Sequence, residues 1–206
     1  MSGLYVHYGC GFCAPDDWLN FDCSPTARFE RIPVLGRLYT KNAKRFPVNI
    51  RYGDIVRGLP VPDASCQAVY SSHVLDTLCF KDGKVALRNT RKILTPGGIF
   101  RVVVEDCSRF MTDYLANSSP DAALRFMETI DFGRMNPRTI NDFLKEYFGH
   151  PCRLWMWDFP SLSHNLKDAG FHSIRRAAFG DCDDPHFASV EEKGRWDDAI
   201  GVECRA

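Results

Sequence analysis

The stretch Val6-His7-Tyr8-Gly9-Cys10-Gly11 constrains the fold more than any other part of the chain. A strand candidate, Leu4 to Tyr8, runs directly into Gly-x-Gly, and two residues without a β-carbon let the backbone pass close to a bound ligand. Ligands in open, doubly wound sheets sit outside the carboxyl ends of strands where the strand order reverses. Gly9 to Ala14 also satisfies the dinucleotide pattern G-x-G-x-x-A, which is weak evidence by itself. That pattern requires a full helix after the glycines and an acidic group about 20 residues on. Here Asp22 ends the next strand candidate only a few residues past Pro15 and Trp18, so no normal helix fits and a nicotinamide dinucleotide is disfavoured.

Further along, short β-branched or apolar runs alternate with helical patterns, the signature of an α/β layering. The strand candidates after the first are Trp18–Phe21, Asn49–Tyr52, Ala68–Ser71, Ile99–Val104, Ser173–Ala177 and Ala199–Glu203. Lys84 to Leu94 has helical periodicity and stops before the turn Thr95-Pro96-Gly97-Gly98. Pro160 to Ala169 is a second helix, with proline in its first turn and Gly170 at the residue after its cap. Two segments interrupt the alternation: the basic 26–47 and the aromatic-rich 108–157. One domain over 1–206, with these two segments as caps or inserts, is the economical reading for a chain of 206 residues.

Lys and Arg number 26 and so do Asp and Glu, so no global field draws the chain to nucleic acid or a membrane surface. Arg37, Lys41, Lys44 and Arg45 read as a solvated helix face. No apolar run approaches the roughly 20 residues needed to span a bilayer. No signal-peptide pattern precedes the first strand, so a cytoplasmic location is expected. The nine cysteines are scattered and odd in number, unlike a secreted disulfide framework. Cys10 and Cys13 have zinc-knuckle spacing without a second matched pair, so no metal site is expected.

Asp22 can accept both hydroxyls of a ribose or can cap the turn at Ser24-Pro25. Asp54, at the end of the third strand in Arg51-Tyr52-Gly53-Asp54-Ile55, is placed to accept an adenine amino group. A proline-rich loop, Leu59 to Asp63, then leads to Val69-Tyr70-Ser71-Ser72-His73-Val74-Leu75.

The whole series resembles the class I S-adenosylmethionine-dependent methyltransferases found among bacterial surface-polysaccharide and small-molecule biosynthesis genes. Their G-C-G, W-x-N-x-D, G-D, L-P-x-P-D, V-Y-x-S-H-V-L-E-H-L and L-x-P-G-G motifs occur here in order between Gly9 and Gly98. The match resumes at Leu154–Asp158, Asp168–Phe171 and Phe179–Asp181. The resemblance implies an α/β, Rossmann-like fold: a mainly parallel seven-stranded sheet with helices on both faces and a helical cap. It implies S-adenosyl-L-methionine as cofactor and a small-molecule or saccharide acceptor. It assigns Gly9 and Gly11 to the methionine moiety, Asp22 to the ribose, Asp54 and the Ile55 backbone to adenine, and Ser71 and Ser72 to the border of the sulfonium and acceptor.

Two departures lie near the acceptor. The family's L-E-H-L reads Leu75-Asp76-Thr77-Leu78, and V-x-P-D reads Val104-Glu105-Asp106. They leave open a relative that keeps the fold as a binding or interaction module. A hydroxyl acceptor needs a base, which a thiol or a deprotonated group does not. The candidates are His73, otherwise a packed or capping residue, and Asp106, otherwise the start of a helix. Tyr147, Phe148, Trp155, Trp157 and Phe159 read as core packing or as an acceptor wall. Segments 26–47 and 108–157 follow the second and fifth strands, so they are expected to close over the cofactor. The basic residues there would favour an anionic acceptor.

Overall fold

A computed structural model describes residues 3–32, 45–131 and 153–206. Seven strands form one sheet: β1 (Leu4–Tyr8), β2 (Leu19–Asp22), β3 (Arg51–Tyr52), β4 (Cys66–Ser72), β5 (Leu94–Glu105), β6 (His172–Ala177) and β7 (Ala199–Arg205). Their spatial order is β3-β2-β1-β4-β5-β7-β6. The five strands from β3 to β5 pair in parallel, and β7 runs antiparallel between β5 and β6. The order reverses between β1 and β4, so the carboxyl ends of those two strands frame the natural ligand crevice.

Alternation along the strands builds two cores. On one face Val6, Tyr8, Val69, Phe100, Val102, Ile200 and Val202 pack with Ala86 and Leu87 of α2 (Phe80–Ile93) and Leu162 and Leu166 of α5 (Phe159–Asp168). Helix α2 begins four residues earlier than its periodicity predicts. Gly83 explains the early start, since a β-carbon there would come within 3.3 Å of the Trp157 ring. Helix α5 starts at a capping box between Asp158 and Ser161 and ends before Gly170 at φ +91°, as its proline and glycine predict.

The opposite face carries Trp18, Ala68, Tyr70, Ile99 and Val103, covered by Phe187 and Val190. Among the described residues no α-helix supplies that cover. It comes from the β6–β7 connection, whose regular parts are the 3-10 turns Pro185–Ser189 and Lys193–Arg195. Arg101 of β5, fully buried, fixes this connection. It donates to Glu191 and Glu203, to the Ala178 carbonyl at 2.6 Å, and pairs with Asp181 at 2.8 Å.

Both inserted segments leave the sheet at carboxyl ends. After β2, Ser24 caps the short α1 (Pro25–Phe29), and Arg37, Lys41 and Lys44 lie outside the described residues. After β5 come α3 (Cys107–Ala116) and α4 (Ala122–Thr129), and Tyr147 and Phe148 lie outside the described residues. The chain then returns across the strand ends. The Leu154 and Trp155 amides donate to the Asp76 carbonyl at 2.8 and 3.1 Å, and the Cys107 amide donates to the Trp157 carbonyl at 2.9 Å. Trp157 is fully buried and is core; Trp155 is half exposed and packs on Phe80. Phe159, partly buried, packs on the same core.

Candidate active site

The glycine turn after β1 is the anchor of the site. Gly9 and Gly11 have φ of +67° and +53°, conformations that side chains disfavour. A β-carbon on Gly9 would lie 2.1 Å from Val74 Cγ2, so the residue after His73 occupies the space that the missing side chain leaves. No helix forms between β1 and β2, as the short spacing to Asp22 requires.

Asp22 reaches back to this turn. Its Oδ2 accepts the Gly11 amide at 3.0 Å and its Oδ1 accepts the Ser24 amide at 2.7 Å. The turn-capping arrangement is therefore present. A carboxylate has about four acceptor positions, so two amides leave capacity for a diol. Beside it, between the ends of β2 and β3, lies a shallow depression lined by Asp22, Ala27, Arg28, Arg31, Ile50 and Tyr52. Arg28 stacks over Tyr52 at 4.7 Å. Gly53 is required by packing, because a β-carbon would sit 2.6 Å from the Phe21 ring. Asp54 Oδ1 accepts the Val56 amide at 2.9 Å and Oδ2 lies 3.5 Å from Arg57. The Ile55 side chain is buried and its carbonyl accepts the Asn89 amide at 2.8 Å.

At the end of β4, Ser71 and Ser72 have buried side chains, close to Tyr8 and Tyr70 respectively and on opposite faces of the sheet. His73, at φ +52°, projects instead. Its Nε2 lies 2.9 Å from the Arg195 carbonyl, and its Nδ1 lies 3.4 Å from Asp76 Oδ2 and 3.6 Å from Glu105 Oε1. Burial lowers its pKa, but the hydrogen bonds to Asp76 and the Arg195 carbonyl and both carboxylate charges more than offset this and raise it. The ring donates from one nitrogen and faces two carboxylates with the other, so these contacts make His73 a clamp between β4, β5 and the β6–β7 connection.

Asp106 is likewise committed. It caps α3, accepting the Ser108 amide at 3.0 Å. The two departures from the family motifs, Asp76 and Glu105, prove to be partners: both face His73, and Arg153 donates to Glu105 at 2.7 Å. Burial raises the Glu105 carboxyl against the pull of Arg153 and His73. Sequence spacing gave no means of joining these residues, because Arg153 arrives from the far end of an insert. Among the described residues no cluster suited to a metal ion occurs, Cys10 and Cys13 included, and no helix is long and apolar enough to cross a membrane.

A nucleoside amino acid fits this donor set. A glycine turn, a carboxylate with spare acceptor positions and an aromatic-edged depression lie along adjacent strand ends in the order that such a ligand needs. Residues 6–102 match the family described as a methyltransferase domain. Solved structures share the fold at low identity. A Mesorhizobium loti S-adenosylmethionine-dependent methyltransferase is 17% identical with TM-score 0.50, over 99% of this chain and 91% of that one. The putative methyltransferase of Haloferax volcanii complexed with the Trm112 activator is 17% identical with TM-score 0.50, over 99% and 82%. An Archaeoglobus fulgidus methyltransferase is 10% identical with TM-score 0.50, over 99% and 86%. No curated protein sequence matches.

Residues 6–102 are matched as a methyltransferase domain, and the seven-stranded fold around them is the one that class I, S-adenosylmethionine-dependent methyltransferases share.

Proposed function

We propose that the enzyme methylates a small-molecule or saccharide acceptor that approaches the β4–β5 strand ends beside His73. The carrying observation is the clamp there. His73, Asp76 and Glu105 join β4 to β5, and Arg153 ties the returning segment 153–157 to them. These ties fix the floor on which an acceptor would rest. The supporting arrangement is the continuation of that floor into the glycine turn through Val74, which touches the position over Gly9.

In this reading Gly9, Gly11, Asp22, Asp54 and Ile55 hold the cofactor, with the Ser71–Ser72 backbone at its reactive end. The cofactor supplies an activated methyl group. The protein contributes position: a fixed line between donor and acceptor supplies much of the rate without proton transfer. His73 orients the site, and a thiol or already ionised oxygen is the acceptor type that needs no base.

The test is incubation with methyl-labelled S-adenosylmethionine and fractionated metabolites and oligosaccharides. Label in one such fraction, with stoichiometric S-adenosylhomocysteine, is the expected result. Label confined to protein or nucleic acid would overturn the acceptor class while leaving the enzyme class intact.

A further inference from the structure

The β1–β2 connection creates an electrostatic problem. In sheets of this type the glycine turn commonly opens a helix whose N-terminus favours an anion. Residues 9–18 form no helix here. The strand ends carry Asp22, Asp54, Asp76 and Glu105, and the cationic groups beside them are committed: Arg57 to Asp54, Arg153 to Glu105, and His73 to Asp76 and Glu105. Such a crevice suits a sulfonium and an ammonium but repels the carboxylate of the same ligand.

One guanidinium answers this need from the other end of the chain. A β-carbon on Gly11 would meet Arg195 Nη2 at 3.9 Å and nothing nearer. Arg195 is fixed on both sides. Its carbonyl holds His73 Nε2 at 2.9 Å, and the next residue, Trp196, lies where a side chain on Gly201 would have come within 2.1 Å. Its Nε lies 3.3 Å from Glu192, and its terminal nitrogens have no hydrogen-bond acceptor among the described residues. Its charge reaches buried His7 on β1. Arg31, on the other flank of the turn, is committed to the Ile50 carbonyl beside Asp22.

We propose that Arg195, carried by the β6–β7 connection, binds the carboxylate of the cofactor's methionine moiety in place of the absent helix N-terminus. The proposal rests on the cofactor reading above and adds a residue to it. The same connection that covers the second face of the sheet thereby completes the cofactor site.

The test is calorimetric binding of S-adenosylmethionine and of decarboxylated S-adenosylmethionine, which lacks only the carboxylate. Wild type, Arg195→Gln and Arg195→Lys are compared, with circular dichroism to verify folding. Arg195→Gln should lose about tenfold or more in affinity for S-adenosylmethionine, as expected for a charged hydrogen bond. It should bind the decarboxylated ligand as wild type does, and Arg195→Lys should fall between. Equal losses for both ligands would make Arg195 a structural brace and overturn the proposal. So would a wild type that fails to discriminate the two ligands. A wild type that binds neither ligand would remove the cofactor site itself, which is a distinguishable failure.

Discussion

The backbone amide of Gly11 donates to Asp22 Oδ2 across 3.0 Å, tying the glycine turn after β1 to the carboxyl end of β2. The carboxylate thus braces the turn and is positioned to accept a ribose with its remaining lone pairs. Asp22→Ala should weaken S-adenosylhomocysteine binding about 10- to 100-fold, at roughly 1.5–3 kcal/mol per charged hydrogen bond. Asp54→Ala should lose less, having one amine contact to give. Isothermal calorimetry decides: undiminished affinity in the Asp22 variant would leave only the brace.

Gly9 faces two constraints, a left-handed backbone and the Val74 methyl at 2.1 Å from any added β-carbon. Gly9→Ala should cost about 2–5 kcal/mol of stability, the sum of a strained φ and overpacking. Gly11→Ala, with only Arg195 at 3.9 Å, should cost about 1–2 kcal/mol. In urea unfolding, Val74→Ala should rescue part of the Gly9 loss and none of the Gly11 loss. Additive effects at Gly9 and Val74 would contradict the packing.

Burial lowers the pKa of His73, but its hydrogen bonds to Asp76 and the Arg195 carbonyl and the charges of Asp76 and Glu105 raise it overall. A raised folded-state pKa gives stability that is fully present below 6.5 and lost as pH rises through the folded value. Wild type should therefore lose stability over that range relative to His73→Gln. The variant should also turn over more slowly at unchanged cofactor affinity, with the shape of the kcat pH profile preserved. Loss of the acid limb from that profile, where a general base becomes protonated, would make His73 the base.

His7 behaves oppositely. It is buried between Trp18 and Tyr70, and burial, aided by the Arg195 charge, pushes its pKa down to about 3. As pH falls below 6.5 the unfolded chain takes a proton that the native state refuses. Stability should fall by about 1.4 kcal/mol per pH unit until the folded value is reached. His7→Asn should flatten the slope in this acid range whatever its absolute stability. Parallel slopes would show that other groups control the acid limb.

The sequence by itself determined the layering and the strand ends at which the candidate cofactor residues fall. All seven strand candidates are strands, because short β-branched or apolar runs bounded by turns suit an extended, buried strand and are too short for a helix. The glycine turn and the acidic residues ending β2 and β3 occupy adjacent strand ends because parallel strands deliver consecutive carboxyl ends to one edge. Helix boundaries were legible where the signals are local, as at Pro160 and Gly170, and illegible at Asp158, whose capping box the structure shows, and at Phe80, where Gly83 packs against Trp157.

Tertiary structure decided the rest. Ser71 and Ser72 are buried on opposite faces of the sheet, and His73 became a clamp because Glu105 and the Arg195 carbonyl reach it from other elements. The cover of the second face, and Arg195 over Gly11, depend on a β6–β7 connection with no periodic pattern of its own. Local propensity cannot encode contacts between residues so distant in sequence. Only the packed sheet brings them within reach of one another.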